Sequence, residues 1–179
     1  DKVANTASVY GSYLKKYKFT AKQSLRLRKL PSLRASNVAV YNEEGSALLS
    51  KIQGDILYLD PPYNHRQYGL NYHVLNALVQ YRHYNAKGKS GLGDYYRSKW
   101  CQRRHVKEEL EATLRQADFR YVMLSYNDEG LLSLEEIRYI MEKYGRYERV
   151  SQPHERYRMK KAPKRKTTEY LHLLEKNDL

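Results

Sequence analysis

A short apolar run, DILYL at residues 55–59, stops at Asp60 and is followed by two prolines and Tyr63. Its length and composition predict a buried strand of the parallel type. Pro61 and Pro62 lack backbone N–H groups and have a fixed φ, so neither the strand nor a new helix continues through them. The segment therefore predicts a strand that ends in a stiff turn carrying a carboxylate and an aromatic ring.

Helix and strand patterns alternate around this run. Helical spacing is found over 43–52, 72–84, 105–117 and 133–145, short strand patterns over 37–41 and 120–126, and hairpin strands over 147–152 and 168–174. In the helix over 133–145, Ser133 is the predicted cap, Glu136 its capping-box partner and Gly145 the stop. The order predicts an α/β fold with a mostly parallel sheet and a terminal antiparallel hairpin. Such sheets bind ligands beyond the carboxyl ends of their strands.

The formal net charge of +13 indicates a polyanionic partner, with nucleic acid favoured over an acidic membrane surface. The nineteen tyrosines provide aromatic rings, and stacking on bases is one use for them. A well-solvated basic surface is the alternative. Cys101 is the single cysteine, which excludes an intrachain disulfide and a cysteine-based metal cluster and fits a cytoplasmic location. No signal peptide, membrane span or zinc-ligand spacing is found, so we expect neither a membrane nor a metal partner.

The turn after the apolar run combines groups that suit a planar amine. Asp60 lies at the carboxyl end of the predicted strand, next to the rigid carbonyl of Pro61. A carboxylate and a carbonyl together can accept both hydrogens of such an amine, and the ring of Tyr63 can lie on a flat heterocycle. This chemistry suits methylation of an exocyclic amino group on a base. A simple Pro-Pro turn with a capping aspartate is the alternative, since a four-residue pattern recurs by chance.

The segment ILYLDPPYNHRQYGLNYHVL closely resembles the DNA adenine-N6 methyltransferases, which use S-adenosylmethionine. It is most similar to the Dam-like class, in which the cofactor motifs precede DPPY. VYNEEGSALL resembles the family's acidic strand-end motif, VMLSYND the strand lining the target pocket, and YRMKKAPKRKTTEYLHLL the final basic loop and hairpin strand. The resemblance implies that residues 1–36 are a basic segment following the DNA-reading region. Residues 37–179 would then form the carboxyl-terminal part of a Rossmann-like catalytic domain.

The resemblance also implies roles for the residues of the turn. The target adenine is flipped out of duplex DNA, and Tyr63 stacks on it. The Asp60 carboxylate and the Pro61 carbonyl, in the turn completed by Pro62, accept hydrogen bonds from the N6 amine. Asp60 also lies near the ammonium group of S-adenosylmethionine. The position that contacts the cofactor adenine falls on Glu44, with Asn42 as the alternative.

Basic and aromatic side chains provide candidate DNA contacts. They are Arg66, Gln67, Tyr68, Lys160, Lys161, Lys164, Arg165 and Lys166. A packed loop for the first three and a solvated basic loop for the lysine-rich segment are the alternatives. His73 is expected to be a packed or capping residue rather than a base, because the adenine amine needs little proton removal before attack. Asn127 and Asp128 either border the target pocket or form a strand-to-helix turn.

The family's glycine-rich cofactor loop, F-x-G-x-G, is not found before residue 42. The close pair Gly91 and Gly93 follows a basic loop instead of a strand, and predicts a flexible loop. We therefore expect the carboxyl-terminal portion of a methyltransferase, with an upstream segment or a separate chain supplying the glycine-rich loop. Two alternatives stay open: a catalytically incomplete DNA-binding or assembly fragment, and a methyltransferase acting on amines of RNA or protein.

Overall fold

The structure, a computed structural model, describes residues 19, 23–24, 37–81, 83, 85, 87, 93–155 and 166–177. The chain divides into two compact units, the first comprising residues 1–40 and 66–97 and the second residues 41–65 and 98–179. Most of the predicted basic segment 1–36, as well as Gly91, lies outside the described residues. The predicted boundary at residue 37 stays a prediction. In the described ranges, no helix combines the length and apolar character needed to cross a membrane.

The second unit is built on a mixed four-stranded sheet in the order β1-β2-β4-β3. The strands are β1 Gln53–Leu59, β2 Asp118–Asn127, β3 Gly145–Glu155 and β4 Lys166–Lys176. β1 and β2 run parallel, whereas β4 is antiparallel to both β2 and β3. The prediction of a mostly parallel sheet is therefore wrong for the described strands, while the predicted terminal antiparallel hairpin is confirmed. The connection over 156–165 is shorter than the dozen or so residues that a parallel crossover requires, so β4 returns antiparallel to β3.

The helices are α1 Gly45–Leu49, α2 Tyr68–Asn71, α3 His73–Gln80, α4 Val106–Gln116 and α5 Leu134–Glu142, with a 3-10 turn at Lys99–Cys101. The helices α1, α3, α4 and α5 confirm the four predicted helices with shorter bounds, whereas the short helix α2 was not predicted. The predicted strand at 37–41 is wrong, because this segment forms no regular element. Asn37 has a φ of 68°, which interrupts an extended backbone, and Val38 and Val40 are largely exposed.

The capping of α5 follows the sequence at its start but not at its end. The Ser133 side chain accepts from the Glu136 N–H, and the Glu136 side chain accepts from the Ser133 N–H, as the capping box predicts. The predicted stop at Gly145 is wrong, because the helix ends at Glu142 and Gly145 opens β3. A Cβ at Gly145 would lie 2.0 Å from the Glu175 carbonyl oxygen. Glycine is required there by the close approach of two strands.

The hydrophobic core of the second unit lies between one face of the sheet and the helices α4 and α5. Its side chains include Val106, Leu110, Leu114, Val122, Leu124, Tyr126, Ile137, Ile140, Met141 and Leu174. Leu57 and Leu59 of β1 pack against this core, whereas Ile56 and Tyr58 are 56% and 58% exposed. The prediction that β1 is a fully buried strand is therefore wrong, because it is an edge strand of the described sheet.

In the first unit, α2 and α3 follow each other after a single residue, Tyr72. His73 is buried, and its Nδ1 is hydrogen-bonded to the Leu70 carbonyl oxygen at 2.9 Å. This contact confirms the prediction of a packed histidine.

Candidate functional site

The DPPY turn lies at the carboxyl edge of the parallel strand pair. Leu57 pairs with Val122 and Leu59 with Leu124, so β1 and β2 end at the same edge of the sheet. Asp60 follows directly and is exposed, whereas Pro61, Pro62 and Tyr63 are half-buried. The predicted turn is therefore at the position where open α/β sheets bind ligands.

The backbone of this turn is held by the connection between β2 and α5. The Tyr63 carbonyl oxygen accepts a hydrogen bond from the Leu131 N–H at 2.8 Å and another from the Tyr126 hydroxyl at 3.2 Å. The same hydroxyl accepts from the Leu132 N–H at 3.2 Å. Tyr126 thus joins the turn after β1 to the loop after β2 through the two hydrogen bonds of its hydroxyl group.

Ring packing reinforces this connection. The rings of Tyr63 and Tyr126 have centroids 5.8 Å apart and meet edge to face at 66°. Tyr126 is fully buried, and burial raises the pKa of its hydroxyl, which is therefore neutral. A Cβ at Gly130 would lie 2.1 Å from the Tyr126 ring, so the loop after β2 passes directly against that ring.

Tyr126 is not among the candidate site residues that the sequence predicts. A signal was present, because Val122, Leu124 and Tyr126 alternate along β2 as the buried face of a strand. A tyrosine at such a position usually finds a partner for its hydroxyl. What the pattern did not show is that the partner is Tyr63.

Asn127 and Asp128 stabilise the turn that follows β2. The Asn127 Oδ1 accepts from the Glu129 N–H at 3.1 Å. The Asp128 carboxylate accepts from the Thr167 hydroxyl at 2.6 Å and from the Thr168 N–H at 3.1 Å. These contacts support the strand-turn interpretation of both residues and connect the end of β2 to the start of β4.

Glu44 caps α1. Its Oε2 accepts from the N–H groups of Ser46 and Ala47, at 3.0 Å and 3.3 Å, and from the Ser46 hydroxyl. The Ser46 hydroxyl, with the two N–H groups and the charge of Lys99, holds the pKa of Glu44 below its usual range although burial acts in the opposite direction. All three capping bonds end on one oxygen, so within the described residues the capping contacts do not use the second carboxylate oxygen. Asn42 is exposed.

The structure brings only part of the predicted site together. Asp60, Pro61, Pro62 and Tyr63 form one turn, but within the described residues no hydrogen bond joins Glu44 to that turn. In the described parts of the chain, no group of three or more His, Cys, Asp or Glu side chains forms a candidate metal site. The exposed carboxylate and the proline carbonyl suit an amine or an ammonium group.

The structure describes only some of the residues that are predicted to contact DNA. In the first unit Arg66 is exposed, Gln67 occupies the N-cap position of α2, and Tyr68 is exposed and meets Tyr72 edge to face at 5.9 Å. The basic residues Lys160, Lys161, Lys164 and Arg165 lie outside the described residues. Lys166 opens β4, where its backbone pairs with Glu155. The DNA-binding role of all these residues stays a prediction.

Comparisons with known proteins show which family the chain resembles. Residues 1–150 match the family model of the D12 class N6 adenine-specific DNA methyltransferases. The chain is 47% identical to Type II methyltransferase M.NlaIII of Neisseria lactamica over 98% of its own length and 54% of that protein. It is 37% identical to M.FokI of Planomicrobium okeanokoites over 98% of its own length and 28% of that protein.

A third relative is also matched over only part of its length. The chain is 36% identical to M.CviAII of Paramecium bursaria Chlorella virus 1 over 88% of its own length and 48% of that protein. The chain therefore spans about half the length, or less, of these curated relatives. No solved structure matches it.

Proposed function

We propose, since the chain belongs to the D12 class of N6 adenine-specific DNA methyltransferases, that it is the carboxyl-terminal catalytic portion of a site-specific enzyme. This enzyme methylates the N6 amine of an adenine flipped out of duplex DNA. The observation that carries the proposal is the position of the DPPY turn, at the carboxyl edge of β1 and β2 with its backbone bonded to Tyr126 and Leu131.

In this mechanism the turn orients the target amine. The Asp60 carboxylate and the Pro61 carbonyl each accept a hydrogen bond from one of its two N–H groups, while the Tyr63 ring stacks on the flipped base. Pro62 keeps the backbone between them stiff. S-adenosylmethionine, when bound, supplies an electrophilic methyl group. Orientation lowers the barrier, and the Asp60 carboxylate stabilises the positive charge that develops on N6.

The hydrogen-bond acceptors present fit part of a site for S-adenosylmethionine. Asp60 offers an exposed carboxylate that suits the ammonium group of the methionine moiety. Glu44 keeps one carboxylate oxygen outside its capping bonds and is the candidate for the adenosine moiety, with Asn42 as the alternative. The glycine-rich part of the pocket would come from an upstream segment or a separate chain.

Duplex DNA is the proposed partner of this basic chain. Support comes from the net charge of +13 and from the exposed Arg66 and Tyr68 that follow the turn. The relatives carry the names Type II methyltransferase and modification methylase, which favours a place in a restriction-modification system. A cytoplasmic location remains a prediction.

The test measures N6-methyladenine by mass spectrometry after incubation with S-adenosylmethionine and duplex DNA. The 179-residue chain is assayed alone and together with the portion of the Neisseria lactamica relative that it does not match. We expect N6-methyladenine in at least one sample, and its loss in Asp60→Asn. Methylation of an RNA competitor in preference to DNA would show that the substrate is RNA and not duplex DNA. Salt-sensitive DNA binding without methylation in either sample would leave the binding-fragment alternative.

A further inference from the structure

A group of basic side chains lies around the start of α4 in the second unit. It is formed by Lys99, Arg103, Arg104 and Lys107, and all four side chains are exposed. We name this group the basic edge. The DNA contacts predicted from the sequence lie in other segments, so these four cations have no role in the proposed function as it stands.

The basic edge lies beside the carboxyl end of β2. Arg103 and Lys107 both bond to the Glu136 carboxylate in the first turn of α5, at 2.6 Å and 2.5 Å. The start of α4 is therefore next to the start of α5, and α5 is the helix that follows β2. Because β1 and β2 are parallel and end together, the DPPY turn lies at this same edge of the sheet.

A short series of contacts joins the basic edge to the DPPY turn. The second oxygen of the Glu136 carboxylate accepts a hydrogen bond from the Ser133 N–H at 2.9 Å. Two residues earlier, the Leu131 N–H donates to the Tyr63 carbonyl at 2.8 Å. The carboxylate that holds two of the cations thus also caps the helix whose preceding loop holds the turn. The position of the basic edge relative to Tyr63 is fixed by the fold of this unit.

The charges of the basic edge are only partly balanced by carboxylates. Arg103 and Lys107 share the single negative charge of Glu136, and Lys99 pairs with Glu109 at 3.0 Å. Arg104 is outside the ion pairs found among the described residues. A guanidinium group has five N–H donors, and exposed ion pairs are weak, so these side chains can bind a further anion at little cost.

Duplex DNA is the anion that this position suits. A base that reaches the DPPY turn remains attached to its sugar-phosphate strand, which brings a row of negative charges to the same edge of the sheet. We propose that the basic edge binds the phosphate backbone of duplex DNA beside the target adenine. Such contacts carry no sequence information but fix the register of the duplex on the protein. The inference rests on the proposed function for the identity of the nucleic acid, and it adds a phosphate-binding surface to it.

The test measures DNA binding without cofactor. The affinity of the 179-residue chain for a labelled duplex is determined by fluorescence anisotropy at several salt concentrations. A triple variant with Arg103→Gln, Arg104→Gln and Lys107→Gln should weaken binding about tenfold or more at low salt, equally for duplexes of unrelated sequence. The slope of log affinity against log salt should become shallower by about 2–3, because each phosphate contact contributes about 0.9.

A matched control removes the same charge at the other end of the strands. It combines Arg120→Gln, Lys143→Gln and Arg146→Gln, three exposed cations that also pair with carboxylates. Arg120 and Arg146 lie near the starts of β2 and β3, and Lys143 directly follows α5. This variant should keep the affinity and the salt slope of the original chain, because it leaves the basic edge intact.

Folding is checked by thermal unfolding of each variant, which should change little because exposed ion pairs contribute little to stability. A second comparison leaves these ion pairs in place. Arg104→Gln changes an exposed arginine just before α4, and Arg115→Gln changes an exposed arginine in the last turn of the same helix. The salt slope should become shallower by about 0.9 for Arg104→Gln and stay unchanged for Arg115→Gln.

Several outcomes would overturn the inference. Equal salt slopes for the two triple variants would show that net charge, and not the position of the cations, governs binding. No binding of the duplex by the original chain would also overturn it, as would tighter binding of a single-stranded RNA through the same side chains. Methylation of DNA together with an unchanged slope in the basic-edge variant would overturn this inference alone. The expected loss of slope without any methylation would support it and count against the proposed function.

Discussion

The hydroxyl group of Tyr126 donates a hydrogen bond to the backbone carbonyl of Tyr63 across 3.2 Å, although the two residues are 63 positions apart in the chain. The same hydroxyl accepts from the Leu132 N–H, and the two rings pack edge to face. The conformation of the DPPY turn therefore depends on the loop that follows a different strand. Tyr126 is a positioning residue in this arrangement, because its contact is with the backbone of the turn.

Tyr126→Phe should loosen the turn without emptying the core. The variant keeps the buried ring but removes the donor to Tyr63 and the acceptor for Leu132, whose N–H then lacks its partner. We expect the free energy of unfolding to fall by about 1–3 kcal/mol. Methyl transfer by the completed enzyme should fall further than this loss of stability explains, through kcat more than through KM.

Tyr144→Phe is the matched control for that experiment. The Tyr144 hydroxyl donates to the Glu111 carbonyl at 3.4 Å, between α4 and the segment after α5. Its loss should affect stability slightly and leave kcat unchanged. A kcat for Tyr126→Phe equal to that of Tyr144→Phe would remove the positioning role.

Gly130→Ala should disturb the same contact from the other side. The added Cβ would lie 2.1 Å from the Tyr126 ring, so the loop or the ring must shift, at a cost of about 1–3 kcal/mol. Gly45→Ala is the control, because nothing lies within 4 Å of a Cβ there and alanine favours the helix α1. Urea unfolding should show a lower midpoint for Gly130→Ala and an equal or higher one for Gly45→Ala. Equal midpoints would mean that the loop after β2 accommodates the added methyl group without a loss of stability.

Substitutions in the turn separate chemistry from stacking. Asp60→Ala should abolish methyl transfer while DNA binding by the completed enzyme survives, since an exposed carboxylate contributes little to folding.

If the Tyr63 ring stacks on the base, Tyr63→Phe should have a mild effect, because the ring remains. Tyr63→Ala should lower kcat/KM by a hundredfold or more, because about 1–3 kcal/mol of stacking is lost and the base is oriented less well. Steady-state kinetics on a fixed duplex measure both. Similar effects of the two Tyr63 variants would rule out stacking as the role.

Stability should fall in mild acid because of His172. This side chain is fully buried and bonded through Nδ1 to the Tyr147 hydroxyl at 2.8 Å. Burial, with a smaller contribution from Arg149, lowers the pKa of His172 from 6.5 to about 4. Between about pH 6.5 and 4, His172 therefore binds a proton in the unfolded chain but not in the folded chain. The free energy of unfolding consequently decreases as the pH falls through this range.

The expected decrease is of the order of 3 kcal/mol over that range, at about 1.4 kcal/mol per unit of pKa. Urea unfolding at several pH values should show this slope, and His172→Gln should reduce it. His154→Gln, at an exposed position, is the control. Burial raises the pKa of Glu136, but hydrogen bonds from Lys107, the Ser133 N–H and Arg103 lower it to about 2, so its effect appears only below about pH 4.5. An unchanged slope in His172→Gln would contradict the assignment.

The local elements were predictable because their signals are local. The capping box of Ser133 and Glu136, the packed His73 and the turn at Asp60–Tyr63 each depend on residues close together in the chain. The predictions failed where a local sequence pattern was used to infer contacts with residues that are distant in the chain. The run at 55–59 was interpreted as a fully buried strand, but whether both of its faces are covered depends on other segments.

The amino-acid sequence by itself determined the positions of α1, α3, α4 and α5, the stiff turn after β1 and, through the DPPY motif, the family. Propensity, capping and proline geometry act over a few residues, so these features do not need the rest of the fold. Only the tertiary structure decided that β4 pairs antiparallel with β2, that the Tyr126 hydroxyl bonds the Tyr63 carbonyl, and that Ile56 and Tyr58 of β1 are exposed. Strand pairing and side-chain contact join residues far apart in the chain, and periodicity along one strand does not specify which partner it meets.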